Sequence, residues 1–435
     1  MQDVVILGGG VSGCIAAQLL ASEGLESAIV EPLARPGGNH QSWDHDEMTF
    51  DVGSIFFRTG TPFLRMFPFL ADICVPVKPA LQRIVDDGGL FTYPFDFRGD
   101  FADRGALEKL MILGDITLNR LWQRRPGTAQ EFVHHRMGSR LGRTTGLLTY
   151  MERMFGEPAD SLSISLADKR MGQVSRASTL RKIRKLIRQD PARRAKPPQH
   201  MVRPQAGFAA MYRQIYQHLE SQGVRIDLDC VIESIRHSGD GFTIQTADGI
   251  QQARAVVNTM PLNILCNLAD IPVARALPQV SLKTVCCSFR GDRNFDGNVL
   301  YNFLSTGMWK RMTVHSDFYG KTPDGRAYMS VEFPYRSEIA SDIALLEDLR
   351  SSTRSVGLFD GDLQMAGSHV TPYAYPVPTI ANERTSAEML EAITAFGICS
   401  VGRQGRYDYI PSANKAVNAV TRILNASMTR PEGTP

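Results

Sequence analysis

The stretch "VVILGGGVSGCIAAQLLASEGLESAIVE", Val4 to Glu31, decides the fold. Val4-Val5-Ile6-Leu7 is a short, continuous, largely β-branched run, as in a strand buried on both faces of a parallel sheet. Ile15 to Leu20 reads as a helix ending near Gly24, and Ser27 to Val30 as a second strand that runs into Glu31. Gly8, Gly10 and Gly13 have the spacing of a dinucleotide-binding turn. In such a turn Gly8 makes the bend, Gly10 lets a pyrophosphate approach the backbone, and Gly13 lets helix and strand pack closely. The amides at Val11 and Ser12, where the helix begins, attract phosphate. Glu31 stands where an acid accepts hydrogen bonds from a ribose diol. Glycine turns also arise for structural reasons alone. The strand, helix and acid in register make this one specific.

Composition sets the frame. The chain has 435 residues, room for two or three domains, with 43% hydrophobic and 21% charged residues. Both values are ordinary for a soluble globular protein. A net charge of +3 argues neither for nor against a polyanionic partner, and nucleic acid is not expected. The seven cysteines show no CxxC pair and no histidine at ligand spacing, so neither a disulfide framework nor a metal centre is expected. The first apolar run flows into glycine after four residues and reads as a strand, not a signal peptide. No apolar stretch approaches the roughly 20 residues of a membrane span. A cytoplasmic protein is expected.

The loop after Glu31 carries Pro36-Gly37-Gly38-Asn39, and Phe50-Asp51-Val52-Gly53 follows in a strand-like context. NAD enzymes do not need this second glycine pair. Here the chain resembles the large FAD family of amine oxidases, protoporphyrinogen oxidase, carotenoid desaturases and UDP-galactopyranose mutase. The resemblance continues through Arg203 to Leu262, where it implies that the backbone of Val231 meets an adenine. It closes at Gly402-Arg403, where a strand from Gly397 ends before a helix from about Ser412. The cofactor residues it implies are Gly8, Gly10, Val11, Ser12, Gly13, Glu31, Gly37, Gly38, Asn39, Val231, Gly402 and Arg403.

The implied architecture is α/β: a Rossmann-like FAD-binding domain of the glutathione-reductase-2 type with an inserted α+β substrate domain. The FAD-binding domain is discontinuous, over 1–60, 200–270 and 386–430. A helical insertion spans 61–199, and a β-rich substrate domain spans 271–385. The cofactor is non-covalent FAD. No second GxGxxG follows, so electrons leave to oxygen or an outside acceptor, or NAD(P)H acts as a transient reductant.

The inserts carry the substrate by subtraction. Resemblance to the mutase and desaturase branch marks Tyr150, Phe155-Gly156 and Arg170, with core packing the equal reading for the two aromatics. It also marks Arg311, Tyr375 and Tyr409, and sets Tyr407 beside them. Mutases have Gly-x-His-x-Phe-His where this chain reads Gly53-Ser54-Ile55-Phe56-Phe57-Arg58. Ile55 and Arg58 thus replace both histidines, which weakens a ring-contraction reading and adds Arg58 to the candidates. From Lys169 to Arg203 the chain is strongly basic. A solvated face is the default for that run. Attraction of an anionic, phosphate-bearing substrate comes second, and nucleic-acid or peripheral membrane contact third. No catalytic side chain stands out, since the chemistry would be the flavin's own. The expected activity is FAD-dependent oxidation of a small-molecule or nucleotide-sugar-like substrate, with hydride passing to flavin N5 in a biosynthetic pathway. The alternatives are a flavin-dependent nucleotide-sugar mutase and a non-enzymatic escort like the GDP-dissociation inhibitors. Oligomeric state is not legible.

Overall fold

The structure is a computed structural model, and it describes residues 1–53, 56–96, 98–122, 125–166 and 199–428. The opening run forms a strand, Gln2–Leu7, whose successive side chains alternate between two layers. Ile6 joins a core with Ile15, Leu20, Met211 and Leu424. Val5 and Leu7 join another with Leu265, Met389 and Ile393. Helices Val11–Ser22, Gly207–Ser221 and Ala413–Met428 supply the first layer, and Leu262–Leu268 and Ile380–Ala395 the second. A strand covered on both faces has no place for a polar residue, which explains why the run is unbroken. Each fully buried Ile or Val contributes about 1.5–3 kcal/mol.

The sheet has seven strands. Arg225–Asp227, Ser27–Val30, Gln2–Leu7 and Gly249–Asn258 lie side by side and parallel. Ile398–Ser400 pairs with the end of Gly249–Asn258, also in parallel. The other half of that strand turns back through two hairpins, Gly241–Thr246 and Ile232–Ser238, which are antiparallel. This is an α/β fold with a Rossmann-like unit, and distant parts of the chain meet at the carboxyl ends of its strands.

A second seven-stranded sheet is built around Gln279–Arg293, flanked by Phe359–Pro376 and Ala327–Tyr335. It continues through Arg311–Val314 and Val299–Asn302 to Leu81–Ile84 and Leu90–Thr92. The division into a helical 61–199 and a β-rich 271–385 therefore needs one amendment: the earlier segment supplies two strands to the later one's sheet. Leu81–Ile84 runs parallel to Val299–Asn302. Arg83, fully buried, is held there by Asp100 and lies 5.0 Å from the Phe91 ring centre and 5.5 Å from that of Phe303.

One face of this second sheet is apolar. Val285, Cys287, Phe289 and Val331 pack under helix Asp342–Arg354 through Leu345 and Leu349. The other face carries Thr284, Cys286, Ser330 and Glu332 and meets the hairpin Ser42–His45/Met48–Asp51 of the first unit. Buried Arg203 ties that hairpin down. Its Nε donates to both Asp51 oxygens, at 2.9 and 3.0 Å, and its guanidinium lies 4.1 Å from the Tyr319 ring centre. A helical cap, Ala106–Trp122, Ala129–Thr144 and Leu147–Phe155, completes the insert. Thr128 and Glu131 form a capping box at the start of its middle helix.

Candidate functional site

The triple glycine meets three different neighbours. Gly8 has φ +102°, a conformation that disfavours any side chain, and an added Cβ would lie 2.5 Å from Thr259 Oγ1. A Cβ on Gly13 would overlap the Gly8 carbonyl. Gly9 fits no dinucleotide pattern, yet it is equally constrained. Its N–H donates to Glu31 Oε2 at 2.7 Å, its carbonyl accepts from Tyr216 Oη at 2.8 Å, and a Cβ would run into that hydroxyl. Gly10 is different. A Cβ there finds only Gly38 Cα at 3.6 Å and the Gly37 carbonyl oxygen at 3.9 Å, an ordinary contact. Gly37 and Gly38 both have positive φ, and Gly37 bridges to Gly10. Gly402, at φ +83°, lies against Ser12. Helix Val11–Ser22 begins at Gly10 with no side-chain cap and no acid in its first turn. Its leading amides are open to an anion.

Glu31 is tied up more than sequence reading anticipates. Besides Gly9 it accepts from Leu33 N–H at 2.9 Å. Burial raises its carboxyl pKa, and those two hydrogen bonds offset part of the rise. Glu31 therefore shapes the glycine turn through both of its carboxylate oxygens. Val231 is 51% exposed, and its carbonyl accepts from Ala247 N–H at 3.0 Å. Asn39 is exposed and donates to the Tyr373 carbonyl at 3.3 Å. Arg403 donates to the carbonyls of Ile410 and Ala374 and lies 5.5 Å from the Tyr375 ring centre. His40, whose Nδ1 is 2.7 Å from Tyr212 Oη, titrates at about 3 through burial and the Arg403 charge, and is therefore neutral near pH 7.

Beside this cradle the structure gathers ionic side chains at the second sheet. Glu332 is buried and paired with both Lys310 and Arg311. Burial alone would raise its carboxyl pKa. The Arg311 and Lys310 charges and their hydrogen bonds outweigh burial and hold it down at about 2. Lys310 Nζ also donates to Tyr375 Oη at 3.0 Å. Burial raises the Tyr375 phenol, but Lys310 and then Arg311 and Arg403 more than reverse it, against an opposing push from Glu332. Tyr409 lies 6.2 Å from Tyr375, ring to ring, and the same distance from Phe155. A Cβ on Gly53 would lie 2.6 Å from an Arg311 guanidinium nitrogen and 3.0 Å from Glu332, so the first unit closes directly over this cluster.

Arg311, Tyr375, Tyr409 and Arg403 thus come together. Lys310 and Glu332, which the sequence did not mark, complete the group. Arg58 does not join it: it lies exposed on Phe57–Arg58, against His200. Arg170, Ile55 and most of the basic run 169–203 lie outside the described residues. Tyr150 is core, stacked on Phe303 at 4.7 Å. Tyr407 is buried and accepts from Val377 N–H at 3.0 Å. Against the expectation of no metal centre stands one cluster among the described residues: His45, His369 and Cys286, remote in sequence, bring their ligand atoms within 4.8 Å of one another. The two imidazole Nε2 atoms lie 2.8 Å apart, a hydrogen bond between one nitrogen of each ring.

Residues 6–73 match the family of NAD(P)-binding Rossmann-like domains. Over 52 residues the chain is 38% identical to prolycopene isomerase of Daucus carota, a match covering 12% of this chain and 8% of that protein. Three solved structures align over nearly the whole chain. A reduced UDP-galactopyranose mutase superposes with a TM-score of 0.73 at 18% identity, over 98% of this chain and 96% of its own. A putative protoporphyrinogen oxidase from Exiguobacterium gives 0.73 at 18%, over 99% of each chain. A fatty acid isomerase from P. acnes that produces conjugated linoleic acid gives 0.62 at 12%, over 98% of each. Among the described residues no helix is long and apolar enough to cross a membrane. Residues 6–73 thus form a unit of the NAD(P)-binding Rossmann-like kind, and the chain shares its overall fold with the mutase and the oxidase.

Proposed function

We propose that the protein binds FAD non-covalently and oxidises a small-molecule substrate. The observation that supports this most is the meeting of three remote backbone segments: Gly8–Gly13, Gly37–Gly38 and Gly402. Gly10 is the turn glycine with room in front of it, and the helix start behind it has no protein anion. That arrangement fits a pyrophosphate. When bound, the flavin supplies a two-electron acceptor. The protein's part is to hold the substrate and keep water out. The Lys310–Glu332–Arg311 group, Tyr375 and Tyr409 would do the holding, and Tyr375, hydrogen-bonded to Lys310, is placed to take or give a proton at its phenol oxygen. The seven free cysteines, six of them buried, support a cytoplasmic setting.

The mutase reading draws on the same cluster. Three cations, Lys310, Arg311 and Arg403, surround Tyr375 with one carboxylate among them. This excess of positive charge suits a diphosphate, and a fork-shaped guanidinium suits it best. The relatives divide likewise: one acts on a nucleotide sugar by name, others on a carotenoid, a porphyrinogen or a fatty acid. The deciding experiment is anaerobic mixing of the yellow protein with nucleotide sugars, amines and polyprenoids. Bleaching by one class supports oxidation and names it. Turnover only after reduction by dithionite, with no net redox change, supports the mutase. A colourless protein that takes up no FAD overturns both and favours an escort.

A further inference from the structure

Helix Ala106–Trp122 has its sidedness inverted. Its inner face is fixed by a few groups. Ile112 is buried and Ile116 packs on the same core as Phe132, Tyr150 and Tyr301. Asp115 accepts from Ser139 Oγ and Arg140 N–H, both at 2.8 Å, on the next helix. The kink at Gly138, φ +84°, lets the two helices approach there, since a Cβ would strike Asp115. With that face pinned, Leu107, Leu110, Met111, Leu118, Leu121 and Trp122 are all exposed, from 40% at Met111 to 87% at Trp122. At 100° per residue they fall within a sector of about 120° that has no charge in it, only Gly114 between them. An apolar stripe of this size facing solvent marks a contact surface.

Charge says what it contacts. Positions 104–144 hold eight basic and three acidic residues, a net +5 in a chain whose total is +3. Arg136, Arg140 and Arg143 are exposed at helical spacing on the neighbouring helix. Between the two helices lies a groove of about 570 Å³, where Met111 and Leu118 face Arg140 and Arg143. The 4-3 spacing of Leu107, Met111, Gly114, Leu118 and Leu121 would also suit a helix of a second copy. Two copies meeting here would set +5 against +5.

We infer that helix Ala106–Trp122 is an interfacial element that seats the protein on an anionic lipid surface. The leucines and Trp122 enter the headgroup–acyl boundary, and the arginines beside them meet lipid phosphates. The inner side of the same helix belongs to the core that holds Tyr375 and Tyr409, so a lipid-soluble molecule would enter close to the ionic cluster. The inference does not depend on flavin.

The test is sedimentation of the full-length protein with vesicles. Binding to phosphatidylglycerol/phosphatidylethanolamine vesicles at low salt is expected. It should weaken at least tenfold on phosphatidylcholine or as the Debye length shrinks to about 3 Å in molar salt. Trp122 fluorescence should shift to the blue. Leu118→Asp with Leu121→Asp should lower binding at least tenfold, while circular dichroism and melting temperature hold, because both side chains face solvent. Failure to bind anionic vesicles, or binding indifferent to the two substitutions, overturns the inference. So does a concentration-dependent dimer that those substitutions dissolve, which would assign the stripe to a second copy.

Discussion

The glycine cradle and the ionic cluster lie side by side, yet they are made differently. The cradle is backbone. Its shape depends on where a Cβ cannot be, at Gly8, Gly9, Gly13 and Gly402. The cluster is side chain. Lys310 and Arg311 stand on one strand edge, Glu332 on the next strand and Tyr375 on a strand end forty-three residues further, so they meet only because four strands pair in one register. A backbone site must bend the chain locally and therefore leaves a local motif. A side-chain site built across a sheet leaves none, because each member looks like any other strand residue until the pairing is known.

The comparison breaks most severely at Gly13. Gly13→Ala puts a methyl into the Gly8 carbonyl, and neither backbone can yield without moving strand Gln2–Leu7. A loss of several kcal/mol, on the order of 3–5, is expected, measured by denaturant unfolding of the apoprotein. If stability holds, close packing is not what this glycine provides. Glu332→Ala is the matching blow to the cluster. It leaves two buried cations facing each other, at about 3–5 kcal/mol. Replacing Lys310 by Met in addition should recover part of the loss, since one of the two stranded charges goes with it. A double variant weaker than the single one would show that the pair is not the unit.

Gly10→Ala sharpens the contrast at a small cost in stability. Its Cβ finds room beside Gly38, so the melting temperature should fall by no more than a few degrees, the cost of alanine replacing glycine at a helix N-cap. Flavin affinity should fall at least tenfold, read by fluorescence on titrating FAD into the apoprotein. Unchanged affinity would detach Gly10 from any pyrophosphate. The sequence made both glycines look alike. Only the distances separate the one that packs from the one that leaves room.

Much of the first unit was legible for this reason. Ser27–Val30 lies where the pattern placed it, and the hairpins at Gly239-Gly241 and Asp248-Gly249 form as their turn residues imply. Gly9 was not legible as a constraint, because its partners Glu31 and Tyr216 are a strand and a distant helix away. In the second unit Arg311, Tyr375 and Tyr409 came from family resemblance alone, while Lys310 and Glu332 were invisible. A lysine next to an arginine reads as surface charge. Nothing in one dimension shows that Lys310 is 1% exposed. Arg58 stands where the mutases have a histidine, and its strand carries it to an outer sheet with His200, away from the cluster.

Acid exposes the smallest difference between the two regions, and its sign follows from which way each group is displaced. His315, on the polar face beside Asp51, has its Nε2 2.8 Å from Ser330 Oγ. Burial depresses it to about 4, Asp51 pulls it up and Arg203 adds to the fall. The unfolded chain protonates this ring near 6.5, so the stability it contributes is full above that pH and disappears as pH falls toward 4. Glu332 is also depressed, to about 2, and its contribution is lost only below the ordinary carboxylate range. Between pH 6.5 and 5 the protein should therefore lose stability through its buried histidines while the ionic cluster stays intact. His315→Gln keeps a hydrogen-bonding side chain and removes the proton. It should flatten the pH dependence of unfolding free energy by up to about 1.4 kcal/mol per pH unit in that window, leaving the loss below about pH 4.5, to which Glu332 contributes. Parallel curves for variant and wild type from pH 7 to 5 would mean that His315 titrates normally and that its pocket admits water.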